Sequence, residues 1–108
     1  MVLKTIVLMG YNKSNTSEEE YDKEVVPSGK RWKILEVRPY FSRTSKDNEA
    51  YIYMRTERIH AFNSLVVDTY KRPYPSDVEI PASVELRLTG KTDGTATTFV
   101  VEVVVSEE

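Results

Sequence analysis

Apolar and polar residues alternate with a period of two through most of the chain. No window carries the apolar stripe of about 3.6-residue period, with caps and sufficient length, that a helix requires. The chain is therefore expected to be all-β. In residues 4–11, Ile6 and Leu8 face one way and Val7, Met9 and Tyr11 the other, so both faces are apolar and cover on both sides is expected. Residues 12–20 form a polar loop with three consecutive glutamates, too poor in apolar side chains to offset the entropy of ordering. A short strand over 21–26 ends at the turn Pro27-Ser28-Gly29, where proline presets φ and glycine tolerates a positive one. In the strand that starts near Arg31, Trp32 and Ile34 share one face while Leu35 and Val37 share the other. That phase change predicts a bulge or burial on both sides, and Pro39 confines the residues after it to an edge or a strand end.

Residues 42–49 read as a polar connection, followed by two short strands at 51–55 and 59–62 around the charged turn Thr56-Glu57-Arg58 and a further strand at 64–70. Arg72-Pro73-Tyr74-Pro75 breaks the pattern. A short strand at 77–80 precedes Pro81, and residues 83–89 alternate cleanly, with Val84, Leu86 and Leu88 inward and Glu85, Arg87 and Thr89 outward. A turn at 90–94 then leads, in the manner of a hairpin, to the closing strand at 95–106. About eight strands and no internal repeat leave a jelly-roll sandwich, an immunoglobulin-like sandwich or a small barrel such as an OB-fold. The cysteine framework of the second is absent, and no helix can be placed for the third, so an antiparallel jelly-roll-like β-sandwich is the expected architecture.

Composition narrows function more than fold. The 108 residues and net charge of -2 suit a single domain spanning 1–108, and the longest apolar runs fall short of the roughly 20 residues that span a bilayer. The opening MVLKTIVLMGY has a lysine inside its apolar run and no small-residue cleavage site, so no signal peptide is expected and cytoplasmic synthesis is. The near-neutral balance argues against a nucleic-acid binder, which needs clustered excess Lys and Arg. With no cysteine, disulfides, thiolate zinc sites and cysteine nucleophiles are excluded, and together with few glycines this fits a protein from a hot environment.

No constellation names a reaction. His60 is the only histidine, so it admits neither a multi-histidine metal site nor a choice of triad, and Ser64 and Asp68 nearby lack a G-x-S-x-G setting. Asp77 with Glu79, and Glu85 with Glu102, are candidate carboxylate pairs, but outward alternation on a sheet produces such pairs by default. Asp47-Asn48-Glu49 and Asp93-Gly94 resemble pieces of calcium loops without the regular ligand spacing and read as turns. No catalytic, metal or cofactor residue is assigned. Tyr40, Tyr51, Tyr53, Tyr70 and Tyr74, mixed with arginines, are candidates for a platform that stacks on sugars or single-stranded nucleic acid, although tyrosine also half-buries well on any sheet. Trp32, with Ile34 beside it, reads as core.

The closing TTFVVEVVVSEE is apolar on both faces, with Phe99, Val101, Val103 and Val105 on one and Val100 and Val104 on the other. A single sandwich core satisfies only half of it, so these six residues form the candidate oligomer interface.

VVPSGKRWKILEV opening a strand, YIYMRTERIHAF as a short hairpin, and DVEIPASVELRLTG before a valine-rich closing strand together resemble the small jelly-roll domains of virion structural proteins of phages and archaeal viruses: decoration, turret and head-fibre modules. The resemblance covers most of the chain from residue 25 and is shared with some carbohydrate-binding modules. It implies a non-enzymatic subunit located in a virion, forming homo-oligomers, trimers foremost, or contacting other virion proteins, without a cofactor. It carries no signature residue. A carbohydrate-binding β-sandwich is the alternative.

Overall fold

The computed structural model describes residues 1–65 and 73–108. Among these the chain forms nine strands and no helix: β1 (Val2–Lys13), β2 (Glu19–Val25), β3 (Trp32–Phe41), β4 (Glu49–Met54), β5 (Glu57–Asn63), β6 (Tyr74–Pro75), β7 (Glu79–Ile80), β8 (Glu85–Lys91) and β9 (Thr97–Glu107). Every pairing is antiparallel. One sheet, A, runs β1-β9-β3 and is completed by β6 and β7, which pair with successive parts of β3; the other, B, runs β2-β8-β4-β5. With β6 and β7 as two halves of one interrupted edge strand, this is the connectivity of an eight-stranded jelly roll, in which the chain changes sheet at almost every connection.

Alternation explains the core. Leu8, Trp32, Ile34, Val37, Phe99, Val101, Val103 and Val105 of sheet A meet Ile52, Leu86, Leu88 and Phe62 of sheet B, all nearly or wholly buried. The phase change in β3 is a bulge: its register with β9 shifts between Ile34 and Glu36, and Leu35 is the extra residue, turned to solvent. Trp32 and Ile34 before it and Val37 and Phe41 after it therefore all point inward. Pro27 to Lys30 form a tight turn closed by Lys30 N–H to the Pro27 carbonyl at 3.1 Å, with Gly29 at φ 76°.

Several expectations are corrected. The turn at 90–94 does not make a hairpin. β8 continues through Gly90 to Lys91 and lies in sheet B, whereas β9 lies in sheet A between β1 and β3. The β4–β5 turn is Arg55-Thr56, one residue earlier than the charged tripeptide suggested, with Arg55 at φ 58° and its N–H bonded to the Glu85 carbonyl. Tyr74 and Pro75, expected to break the pattern, pair with Val37 and Glu36 at the sheet edge, where a missing proline N–H costs no ladder bond. Ser64 and Leu65 lie in a turn; the rest of the strand expected at 64–70 falls outside the described residues.

Tyr21 of β2 closes one end of the sandwich. Its ring packs 5.0 Å from that of Phe99 and lies against Gly10 of β1 and Gly90 of β8, while its hydroxyl donates to Asn15 Oδ1 at 2.7 Å. Burial pushes its phenol up to about 12, so it stays a donor at any physiological pH.

Candidate functional site

The two outer faces differ in kind. On sheet B, Glu49, Tyr51 and Tyr53 of β4 face outward beside Arg87 and Thr89 of β8 and Arg58 of β5. The Arg58 guanidinium sits 3.9 Å from the centre of the Tyr51 ring and donates to the Tyr53 hydroxyl. Tyr53 and Thr89 hydroxyls donate to the same Glu18 oxygen at 2.8 and 2.6 Å, Arg58 reaches Glu18 at 3.3 Å, and Arg87 reaches Glu20 at 2.7 Å. Burial opposes ionisation of Glu18, yet the bonds from Thr89 and Tyr53 and the charges of Arg58 and Arg87 outweigh it and hold its carboxyl below the ordinary value. The loop before β2 is thereby fastened onto the sheet, and the face is sealed by its own charges.

Sheet A presents an apolar outer face. Leu3, Val7, Met9 and Tyr11 of β1 are exposed, Tyr11 to 73%, next to half-buried Val100 and Val104 of β9 and exposed Leu35 of β3. Polar relief comes from Glu36 and Arg38, which pair with each other, and from Glu102 between Val7 and Arg38. The two-sided cover expected for β1 is absent within the described residues, because the sandwich has two layers and no described element lies over the outside of sheet A.

This arrangement redistributes the candidate interface. Phe99, Val101, Val103 and Val105 are fully buried between the sheets and present nothing to a partner; only Val100 and Val104 reach the outer face, where β1 joins them. Among the described residues the candidate tyrosines do not form one platform. Tyr51 and Tyr53 lie on sheet B under arginines, Tyr40 lies half-buried on the outside of sheet A, and Tyr74 packs 5.3 Å from Phe62 at the rim between sheets. Tyr70, with Asp68, lies outside the described residues. Trp32 is core, as its pattern indicated, and also an anchor: its Nε1–H donates to Glu107 Oε2 at 2.9 Å, and Lys4 Nζ binds the same oxygen at 3.0 Å. These two bonds, the tryptophan's first, hold the Glu107 carboxyl below its ordinary value.

The candidate chemistry becomes structural. Glu85 and Glu102 sit on opposite outer faces, so they cannot act together, and Ser64 Oγ donates to the Ser45 carbonyl. The two calcium-like fragments come together at one end, around Asn48. Fully buried, Asn48 donates to the Arg43 carbonyl and to Thr97, and accepts from the Asp93 N–H. Asp93 is taken by Arg43 in a two-pronged pair at 3.0 and 3.3 Å that holds its carboxyl well below the usual carboxylate range. Among the described residues no group of three His, Asp or Glu could hold a metal ion, and no helix is long and apolar enough to cross a membrane.

Sequence reasoning missed one pairing. His60 Nε2 lies 3.0 Å from Ser76 Oγ, joining β5 of sheet B to the β6–β7 connection of sheet A, with its ring stacked on Phe62. No local signal marks it, since the partners are brought together only by sandwich closure. Desolvation lowers the histidine's pKa below 6.5, so the folded state favours the neutral ring. Its contribution to stability is therefore complete above the unfolded value and is lost as pH falls below about 6.5. Urea midpoints are expected to drop between pH 7 and 5.5, and His60→Gln to flatten that segment; an unchanged slope in the variant would dismiss the role.

Comparison with protein-family models, with curated protein sequences and with solved structures finds no significant match.

Proposed function

We propose that the protein is a non-enzymatic structural subunit that works by assembling with copies of itself, as a virion or particle component of the decoration, turret or fibre kind. The observation that carries the reading is the contrast between the two sheets. Sheet B is covered by a network of its own arginines, glutamates and tyrosines, whereas sheet A leaves Leu3, Val7, Met9 and Tyr11 bare beside Val100 and Val104. A contiguous apolar patch of this kind is what an association surface requires. The virion assignment adds the resemblance in turn and strand order, and the partner class it implies is another copy or another shell protein.

The glycan-binding alternative draws less support. A sugar ring needs an open aromatic face, and that of Tyr51 is occupied by Arg58.

Sedimentation velocity over about 10 µM to 1 mM is expected to show a concentration-dependent rise above the monomer value, because dissociation constants in this range are typical of small interfaces. Val7→Lys, on the exposed face and opposite Glu102 in the β1–β9 register, should fold normally and shift that rise to higher concentration. A wild-type protein that stays monomeric throughout would overturn the reading.

A further inference from the structure

We propose that two copies of the chain join along their β1 strands, antiparallel and with Thr5 on the two-fold axis, so that sheet A continues unbroken from one copy into the other. This rests on the assembly reading above and adds the strand, the register and the symmetry.

The backbone supplies the first ground. β1 is hydrogen-bonded to β9 along one side only. The Met9 N–H donates to Asp22 Oδ2 at 3.0 Å and so points away from β9. N–H and C=O groups alternate sides along a strand, and the β1–β9 register is unbroken from Val2 to Gly10. The backbone groups of Leu3, Thr5 and Val7 therefore point to the same free side as those of Met9. Asp22 closes the row at Met9, leaving residues 2–7 as an open ladder.

The other sheet edges are guarded, and this selects the partner. β6 and β7 are two residues each and flanked or interrupted by Pro73, Pro75 and Pro81. β2 reads EEYDKEV and carries a bulge between Glu20 and Asp22, and β5 opens with Glu57 and Arg58 and is bulged before His60. Charge, proline, brevity and bulges are the devices that keep edges from pairing. Residues 2–7 have none of them except Lys4, and Lys4 is held by Glu107 at 3.0 Å. A three-fold ring would need β1 to pair with one of the guarded edges on the next copy. A two-fold needs only β1 itself.

Charge and pattern fit the self-pairing. With Thr5 on the axis, Leu3 stands opposite Val7 of the second copy, Lys4 opposite Ile6, and Val2 opposite Leu8, so no charge meets its like. Leu3 and Val7, 62% and 49% exposed in one copy, cover each other across the seam. The contact is short compared with the roughly 800 Å² per partner of a stable complex, so the dimer is expected to be concentration-dependent, with Kd on the order of 10 to 100 µM.

Because the chain has no cysteine, one introduced thiol reports geometry without background. Facing Thr5 residues in a hydrogen-bonded pair lie about 5.5 Å apart at Cα, within disulfide reach. Under mild oxidation Thr5→Cys should cross-link at least about tenfold faster than Tyr11→Cys, which is also exposed but lies past Asp22 and six residues from the axis, far from its own copy. In parallel, Thr5→Pro removes a donor on the free side and none bonded to β9, so the concentration-dependent dimer should disappear while the urea midpoint stays near wild type. Equal cross-linking of the two cysteine variants, or a folded Thr5→Pro protein with undiminished association, overturns the β1 pairing and leaves assembly through another surface standing. A monomeric wild type overturns both. If Thr5→Pro fails to fold, the cysteine pair decides alone.

Discussion

Val101→Asp is expected to unfold the protein, whereas Val104→Asp, three residues along the same strand, leaves it folded. Val101 is fully buried, registered between Leu8 of β1 and Pro39 of β3, and belongs to the apolar cluster that fills the space between the sheets. A carboxylate there finds neither water nor a counter-charge, and the cost exceeds about 4 kcal/mol, comparable with the whole stability of a small domain at roughly 5–15 kcal/mol. Val104 points out of the same sheet between Thr5 and Glu36. An aspartate there loses only partial burial and gains a like-charged neighbour, for about 1 kcal/mol at most, and lysine at the same position reverses the second contribution. Urea unfolding followed by the single tryptophan, which is buried in the native state, reads both effects directly. Comparable loss at the two positions would mean that the outer face of β9 is covered in the folded monomer.

The second large effect belongs to two glycines on either side of one ring. A Cβ on Gly10 would overlap the Tyr21 ring, and a Cβ on Gly90 would lie 2.5 Å from Tyr21 Cε2 and 2.9 Å from the Glu49 carbonyl oxygen. Either alanine substitution forces the ring off Phe99 and strains its bond to Asn15, for about 2–3 kcal/mol by the usual cost of overpacking. The two sites separate in a Tyr21→Ala background. There Gly10→Ala should cost much less, since the two ring carbons nearest to it are gone and only the Cβ of residue 21, at 3.1 Å, still presses on it, whereas Gly90→Ala should remain costly because the Glu49 carbonyl is part of the β4–β8 ladder and cannot withdraw. Additive costs in both double variants would show that the ring does not set the spacing between β1, β2 and β8.

Acid should loosen the fold for a related reason. Glu18, Asp93 and Glu107 all have folded-state pKa values below their unfolded ones, so each contributes stability above about pH 4.5 that is lost as pH falls through the folded value. The His60 effect has the same sign and begins earlier, near pH 6.5.

Period-two alternation alone was enough to establish that the chain is all-β, which residues of 99–105 share a face, and that β3 is either bulged or buried on both sides beside Leu35. Each of these depends only on whether neighbouring side chains share a face, a property of a few consecutive residues. The absence of a multi-histidine or cysteine site was equally legible, since it follows from counting. What the alternation could not encode was which strand lies beside which. The turn after Gly90 has the local chemistry of a hairpin, yet β9 pairs with β1 and β3 because those strands offer it two long apolar partners while β8 is claimed by β2 and β4. Closure of the sandwich then decided the rest: it scattered the tyrosines over different faces, set Arg58 on Tyr51, brought His60 to Ser76, and left β1 at an edge. That last placement leaves a row of backbone groups on β1 open to a second copy, while the two-layer architecture leaves bare the outer face for which the sequence suggests cover.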